Sequence, residues 1–199
     1  MSTTRPNKPL ISHMVLNVRD INATHAFYTE ILGFIQVGQI GGNPDSSKDM
    51  RFYQGNGAHH HDIACVQMND PSSAPEVVPW QMFPEAAGIV HIALDYGSRE
   101  AWLEQIEHLQ RNDVEIIVRG NHGMTHSAYI ADPDGYGLEV LYNVPSEAWQ
   151  DDVDAALNYF EYLPVDGDDV FEDRTDYQRF GPGEPAPAGI PDKLVVRID

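Results

Sequence analysis

The sequence predicts an α+β fold built from two paired βαβββ modules, and three observations lead there. The order strand, helix, strand, strand, strand occurs in residues 9–68 and again in 88–145. Each copy opens on an apolar strand bearing one histidine, ISHMVL around His13 and IVHIAL around His91. A proline-rich linker, 69–87, separates the copies, and an acidic C-terminal helix and tail, 146–199, follow the second.

The elements follow in order. Leu10–Val18 is a half-alternating apolar run and reads as a strand. Asp20 caps a helix whose Ile21, Ala26, Phe27, Ile31 and Leu32 recur at helical spacing. Gly33 ends it, because glycine accepts the left-handed C-terminal conformation. Phe34–Ile40, Met50–Gln54 and Asp62–Met68 are the remaining strands of the first copy. In the second copy, Gly88–Tyr96 is a strand and Ser98 opens a helix with Glu100 near its positive end. Val114–Arg119, Ala128–Ala131 and Leu138–Tyr142 complete it. After Asn143, SEAWQDDVDAALNYFEYL reads as one acidic helix with Trp149, Val153, Leu157 and Phe160 on a single face. The tail from Pro164 is expected either to lie irregularly over the domain or a neighbouring subunit or to be disordered, and it closes on the strand-like KLVVRID.

Composition narrows the function. Lys+Arg 12 against Asp+Glu 31 gives a net charge of -19, which argues against nucleic acid and anionic membranes, since both reward basic faces. One cysteine, Cys65, excludes an internal disulfide and fits a reducing cytosol. MSTTRPNKPL has no apolar signal core and no run approaches a membrane span, so a soluble cytoplasmic protein is expected.

The chemistry concentrates between His122 and Glu139, HGMTHSAYIADPDGYGLE. Asp132-Pro133-Asp134-Gly135 is a turn by mechanism, proline presetting one φ and glycine freeing another, so the flanking runs form a hairpin. A glutamate opening the apolar run LEVLY needs a partner, because burying a carboxylate alone costs several kcal/mol. Module symmetry would put His13 and His91 on equivalent strands, with Glu139 from the last strand. Two histidines and a carboxylate on rigid strands leave coordination positions open on one side, which suits non-haem Fe(II) enzymes.

These residues carry a resemblance. AFYTEILGF after a histidine-bearing strand, followed by a second such unit, resembles the vicinal oxygen chelate superfamily, which includes glyoxalase I and bleomycin-resistance proteins. Within it, Gly120–Glu139 resembles the signature of the type I extradiol ring-cleaving dioxygenases, and HHDIACV resembles their segment with the catalytic histidine. Ala128 departs from the larger aliphatic residue usual there. The resemblance covers residues 9–145 and implies paired modules forming a half-open barrel around a metal site. It implies His13, His91 and Glu139 as ligands of Fe(II), with Mn(II) accepted by the same set. It also implies His61 as the acid–base residue beside O₂, and His122 and Tyr129 as groups that hydrogen-bond the catechol oxygens. The expected partners are a catecholic small molecule and O₂, with ring opening beside the diol. A single pair of modules is the one-domain kind, and a homo-oligomer is expected because each sheet needs cover.

Alternatives stay open at this level. His59 and His60 flank His61 in a loop, and His126 competes with His122. His25 and His108 sit in helices and read as surface residues; Trp80, Met82 and Phe83 either pack or line an aromatic pocket. A glyoxalase-like isomerase or epimerase would use a fourth protein ligand from the last strand of the first module, where His61, Asp62 and Gln67 stand. A metal-free drug-binding module would need none of these histidines.

Overall fold

The computed structural model describes residues 10–43, 46, 48–57, 59–165 and 167–182; the closing KLVVRID lies outside them. The chain divides into two compact units, Met1–Glu76 and Val77–Asp199. In the first unit β1 (Met14–Val18) turns its Leu16 and Val18 inward. Asp20 then accepts the backbone N–H groups of Asn22 and Ala23 at 2.9 and 3.2 Å, starting α1 (Ile21–Ala26). That helix loosens into a π-helical turn, Phe27–Ile31, and Gly33 ends it with φ +79. β2 (Ile35–Gly41), β3 (Asp49–Gln54) and β4 (Ile63–Gln67) follow, giving a four-stranded sheet ordered β1-β4-β3-β2. β1 runs parallel to β4, and the other neighbours are antiparallel.

The second unit repeats the plan. β5 (Ile92–Asp95) leads to α2 (Arg99–Arg111), capped by the Ser98 hydroxyl on Ala101 N–H at 3.1 Å. β6 (Val118–Asn121), β7 (Thr125–Ala131) and β8 (Gly137–Asn143) complete it, with β5 parallel to β8. Trp102, Ile106 and Leu109 of α2 are buried with Ile130, Leu138 and Val140 of the sheet, and the Trp102 indole donates to the Val140 carbonyl at 2.9 Å. The α+β fold of two βαβββ modules is therefore present, as two open sheets. Among the described residues no helix is long and apolar enough to cross a membrane.

The C-terminal part corrects one expectation. The single acidic helix over 146–163 is instead a 3₁₀ turn (Ser146–Ala148), a short helix α3 (Val153–Leu157) and a strand β9 (Glu161–Tyr162). The break comes from Asp152, whose backbone is non-helical (φ -150, ψ 80) and whose carboxylate accepts Ala155 N–H at 3.0 Å, so the residue that would continue a helix starts a new one. The apolar stripe is accordingly not buried as a stripe: Leu157 is 61% exposed and Phe160 only 4%. β9 pairs with β6, giving a five-stranded sheet ordered β5-β8-β7-β6-β9.

The following segment is anchored over the second unit by buried charge. Arg119, fully buried over the Trp102 ring at 4.7 Å, donates to the carbonyls of Pro164 and Val170 at 2.9 and 2.6 Å. Asp173 meets His126 Nδ1 and the Tyr142 hydroxyl, both at 2.6 Å, and Arg99 Nε at 3.2 Å. Of the two histidines competing in the sequence, His126 thus serves this anchor.

Candidate functional site

In the second unit the hairpin of β7 and β8 sets the geometry. Asp132 closes its turn: the carbonyl accepts Gly135 N–H at 3.0 Å and the carboxylate accepts Asp134 and Tyr136 N–H at 2.9 Å each. Gly135 holds φ +87, which a side chain would strain. That register makes Tyr129 and Glu139 directly opposed. The Tyr129 hydroxyl donates to Glu139 Oε1 at 2.9 Å, and His122 Nε2 lies 2.9 Å from the same hydroxyl. A phenol has one proton, and it goes to the carboxylate; His122 must therefore be the Nε2–H tautomer, donating to the Tyr129 oxygen. The result is a chain of donors from His122 through Tyr129 to Glu139.

His91 directly precedes β5, and its Nε2 lies 3.1 Å from Glu139 Oε2. Its Nδ1 is buried without a hydrogen-bond partner among the described residues. Two donors each ~2.1 Å from one divalent ion and at right angles stand ~3 Å apart, so this pair has the spacing of adjacent metal ligands. A neutral imidazole and a carboxylate are also donors that Fe(II) and Mn(II) both accept. The residues fit such an ion. Within neither unit do three or more described His, Cys, Asp or Glu side chains cluster in metal-holding geometry.

The electrostatics agree with a polar chain inside an apolar setting. Burial alone would raise the Glu139 carboxyl, but hydrogen bonds from His91, Ser127 and Tyr129 outweigh it and hold the group below the usual carboxylate range. Burial, then the Glu139 charge and its hydrogen bond, push the Tyr129 phenol far up, so it stays a donor. Burial holds the His122 imidazole below its ordinary value, hence neutral near pH 7. Trp80 from the linker stacks on Tyr129, ring centroids 5.0 Å apart and planes at 12°, while its indole donates to the Val90 carbonyl at 2.5 Å. Of the three linker residues considered, Trp80 joins the site; Phe83 is exposed. Ser127 was not apparent from sequence, since a serine in a strand carries no periodic or motif signal.

In the first unit His13 directly precedes β1, as His91 precedes β5. Its ring lies 4.5 Å from that of His61, and the Phe52 ring lies 5.0 Å from His61, edge to face. His60 Nδ1 and His61 Nδ1 are 2.6 Å apart. Partial burial and then the neighbouring His60 and His13 lower the His61 imidazole below its ordinary value. Asp62 accepts Gly55 N–H at 2.8 Å, and Gln67 is spent on the chain: its side-chain oxygen accepts Ile21 N–H at 2.8 Å and its nitrogen donates to the Arg19 carbonyl at 2.6 Å.

The registers allow the two units to be compared residue by residue. Met14, next to His13, opposes Ile63; Ile92, next to His91, opposes Leu138. Glu139 therefore corresponds to Ala64, and Tyr129, which opposes Glu139, corresponds to Phe52, which opposes Ala64. The first unit repeats the histidine but neither the carboxylate nor the phenol.

Comparison with known proteins agrees with this architecture. Catechol-2,3-dioxygenase of Bacillus subtilis (strain 168) is 39% identical over 59 residues, a stretch that is 30% of this chain and 19% of that protein. A glyoxylase/bleomycin resistance protein/dioxygenase domain from Frankia sp. EAN1pec matches with a TM-score of 0.56 at 17% identity, covering 69% of this chain and 93% of that one. The fosfomycin resistance protein FosX from Listeria monocytogenes, at pH 6.5, matches with a TM-score of 0.51 at 22% identity, over 69% and 95% of the two chains. At such identities the solved structures share the fold. The family profile matches residues 10–140, and the chain belongs to the Glyoxalase/Bleomycin resistance protein/Dioxygenase superfamily.

Proposed function

We propose that the protein is an extradiol ring-cleaving dioxygenase, inserting both atoms of O₂ into a catechol-type diol at a mononuclear Fe(II) site. His13, His91 and Glu139 would hold the ion, and Mn(II) suits the same donors. The observation that carries the reading is the asymmetry of the two units. Ala64 stands where a second Glu139 would stand, and two of the three candidates for a fourth protein ligand, Asp62 and Gln67, already bond the backbone, which leaves His61, read here as the acid–base residue. Three donors leave room on one ion for both catechol oxygens and for O₂, whereas an isomerase of this superfamily would draw a fourth donor from that strand. The partial likeness to a catechol dioxygenase supports the same reading, and the fold alone does not, since one fold hosts many reactions.

When bound, an ion held by these residues would supply Lewis acidity and open positions for the two diol oxygens and O₂, stabilising the negative charge that develops. The chain's own groups have complementary tasks. The Tyr129 hydroxyl, kept protonated, and the His122 N–H donate to Glu139 and to Tyr129 in this structure, and would turn to a catechol oxygen when the diol binds. His61, neutral near pH 7, is suited to accept and return a proton. Trp80 covers the Tyr129 face and keeps water from it.

The test is anaerobic loading with Fe(II), then air and a panel of catechols, followed by the yellow ring-fission product. Colour that disappears in His13→Ala and Glu139→Gln is expected, with losses beyond the roughly 10- to 100-fold typical of outer-shell changes. Tight metal binding without O₂ uptake would transfer the protein to the isomerases. No metal binding would leave a binding module.

A further inference from the structure

The segment after Asn143 lies beyond the residues that the superfamily profile matches, yet it touches the turn that carries His122 from two sides. Phe160 meets the His122 ring edge to face, centroids 4.8 Å apart at 73°. It also lies so close to Gly120 that a methyl group there would overlap its ring edge. On the far side Phe180 presses on Gly123, which holds φ +74, and the Phe180 N–H donates to the Ala148 carbonyl at 2.8 Å. The two glycines flanking His122 leave room for two aromatic rings, both supplied by the C-terminal segment.

The rest of the segment fixes those rings. β9 pairs Tyr162 with Gly120 and Glu161 with Asn121, and Leu163 N–H donates to the Arg119 carbonyl at 3.0 Å. Asn121 reaches Glu161 at 3.3 Å while accepting Gly123 N–H at 2.8 Å, so the strand and the turn are tied together. His122 N–H donates to the Thr125 carbonyl at 2.8 Å, which fixes the backbone but leaves the imidazole free to rotate. Packing against Phe160 therefore acts together with the 2.9 Å bond to Tyr129 in choosing the rotamer that points Nε2 at the phenol.

We infer that the C-terminal segment is a working part of the site, with Phe160 the positioning residue that holds His122 in its hydrogen bond to Tyr129. The inference rests on the dioxygenase reading for its effect on turnover, but the geometry it explains belongs to the chain alone. Phe160 acts through the imidazole.

The test reads the imidazole first. In the metal-free full chain, at a pH where His122 is neutral, its ¹⁵N resonances are expected to report a single Nε2–H tautomer. Phe160→Ala should relax it to a mixture of tautomers. On the Fe(II)-loaded enzyme the same change should lower kcat, more than it alters KM, by about 10- to 100-fold, the usual cost of misplacing a group by an ångström. Phe160→Leu keeps apolar bulk and should restore the single tautomer. Gly120→Ala should reproduce the loss by pushing the ring away, and combining it with Phe160→Leu should relieve the overlap. A single tautomer that survives both Phe160→Ala and Gly120→Ala, with only melting temperature lowered, would overturn the proposal. Because the tautomer is read without metal or substrate, an unaltered protein that opens no catechol would remove the dioxygenase reading and leave this one standing.

Discussion

The two units share a backbone plan and differ in what it carries. Each has one histidine directly before its first strand, and each pairs that strand in parallel with its last. In the second unit the histidine faces Glu139, 7% exposed, which Tyr129 and His122 continue into a hydrogen-bonded chain. In the first, the matching positions hold Ala64 and Phe52, while His13, His59 and His60 are exposed. Repeating a framework evidently does not require repeating its chemistry. One buried carboxylate with two satisfied oxygens is tolerable, because hydrogen bonds offset its desolvation. A second would need its own partners, and Phe52 offers none.

The comparison breaks most sharply if the missing carboxylate is put back. Ala64→Glu gives the first unit the donor of the second, and on the proposed function it adds a fourth ligand. Ring cleavage should fall by about 100-fold or more as an open position closes, while Fe(II) should be held at least as tightly in a competition with a chelator. Unchanged ring cleavage in a folded Ala64→Glu protein would mean that the register-matched position does not face the ion, and the argument from asymmetry would fail.

The units also differ behind the sheet, where only the second carries the Asp173 anchor. The Asp173 side chain is 0% exposed. Burial alone would raise its carboxyl, but bonds from His126 and Tyr142 and the charge of Arg99 hold it below the usual carboxylate range. A depressed folded value means that the contribution is full above the unfolded value of about 3.9 and is lost as pH falls from there through the folded value. Asp173→Asn should therefore cost about 3 kcal/mol near neutral pH, and should flatten the acid dependence of unfolding in urea. A loss below 1 kcal/mol would show the anchor to be dispensable.

Much of the framework was legible in the sequence, for reasons that are local. Asp20 and Ser98 cap helices because their side chains reach N–H groups two or three residues on, and the Asp132 turn closes within its own residues. The hairpin register then follows, and it brings Tyr129 opposite Glu139. What the sequence did not disclose depends on distant partners. His126 meets a residue 47 positions away, and nothing in SAYIA or THS announces Asp173. Phe160 fell on an apparent helical stripe, and only the pairing of β9 with β6 turns it toward His122. Arg119 ended an expected strand, Val114–Arg119, but the observed strand runs Val118–Asn121 and buries that arginine under backbone carbonyls.

The smallest expected effect makes the second unit resemble the first at one atom. Tyr129→Phe reproduces Phe52 and removes a single hydroxyl. Glu139 Oε1 and His122 Nε2 each lose a partner at 2.9 Å, and unpaired buried polar groups cost about 1–3 kcal/mol in stability. The Glu139 carboxyl should rise, since one of the hydrogen bonds that lower it is gone. On the proposed function, turnover should drop by about tenfold, the low end for a group beside rather than on the ion. In the unaltered protein the His122 imidazole should titrate below the ordinary histidine value of about 6.5, because burial disfavours its cation. In Tyr129→Phe an NMR titration should find it lower still, since the cation loses the oxygen that accepts its Nε2–H. A titration that stays in place would detach His122 from the phenol.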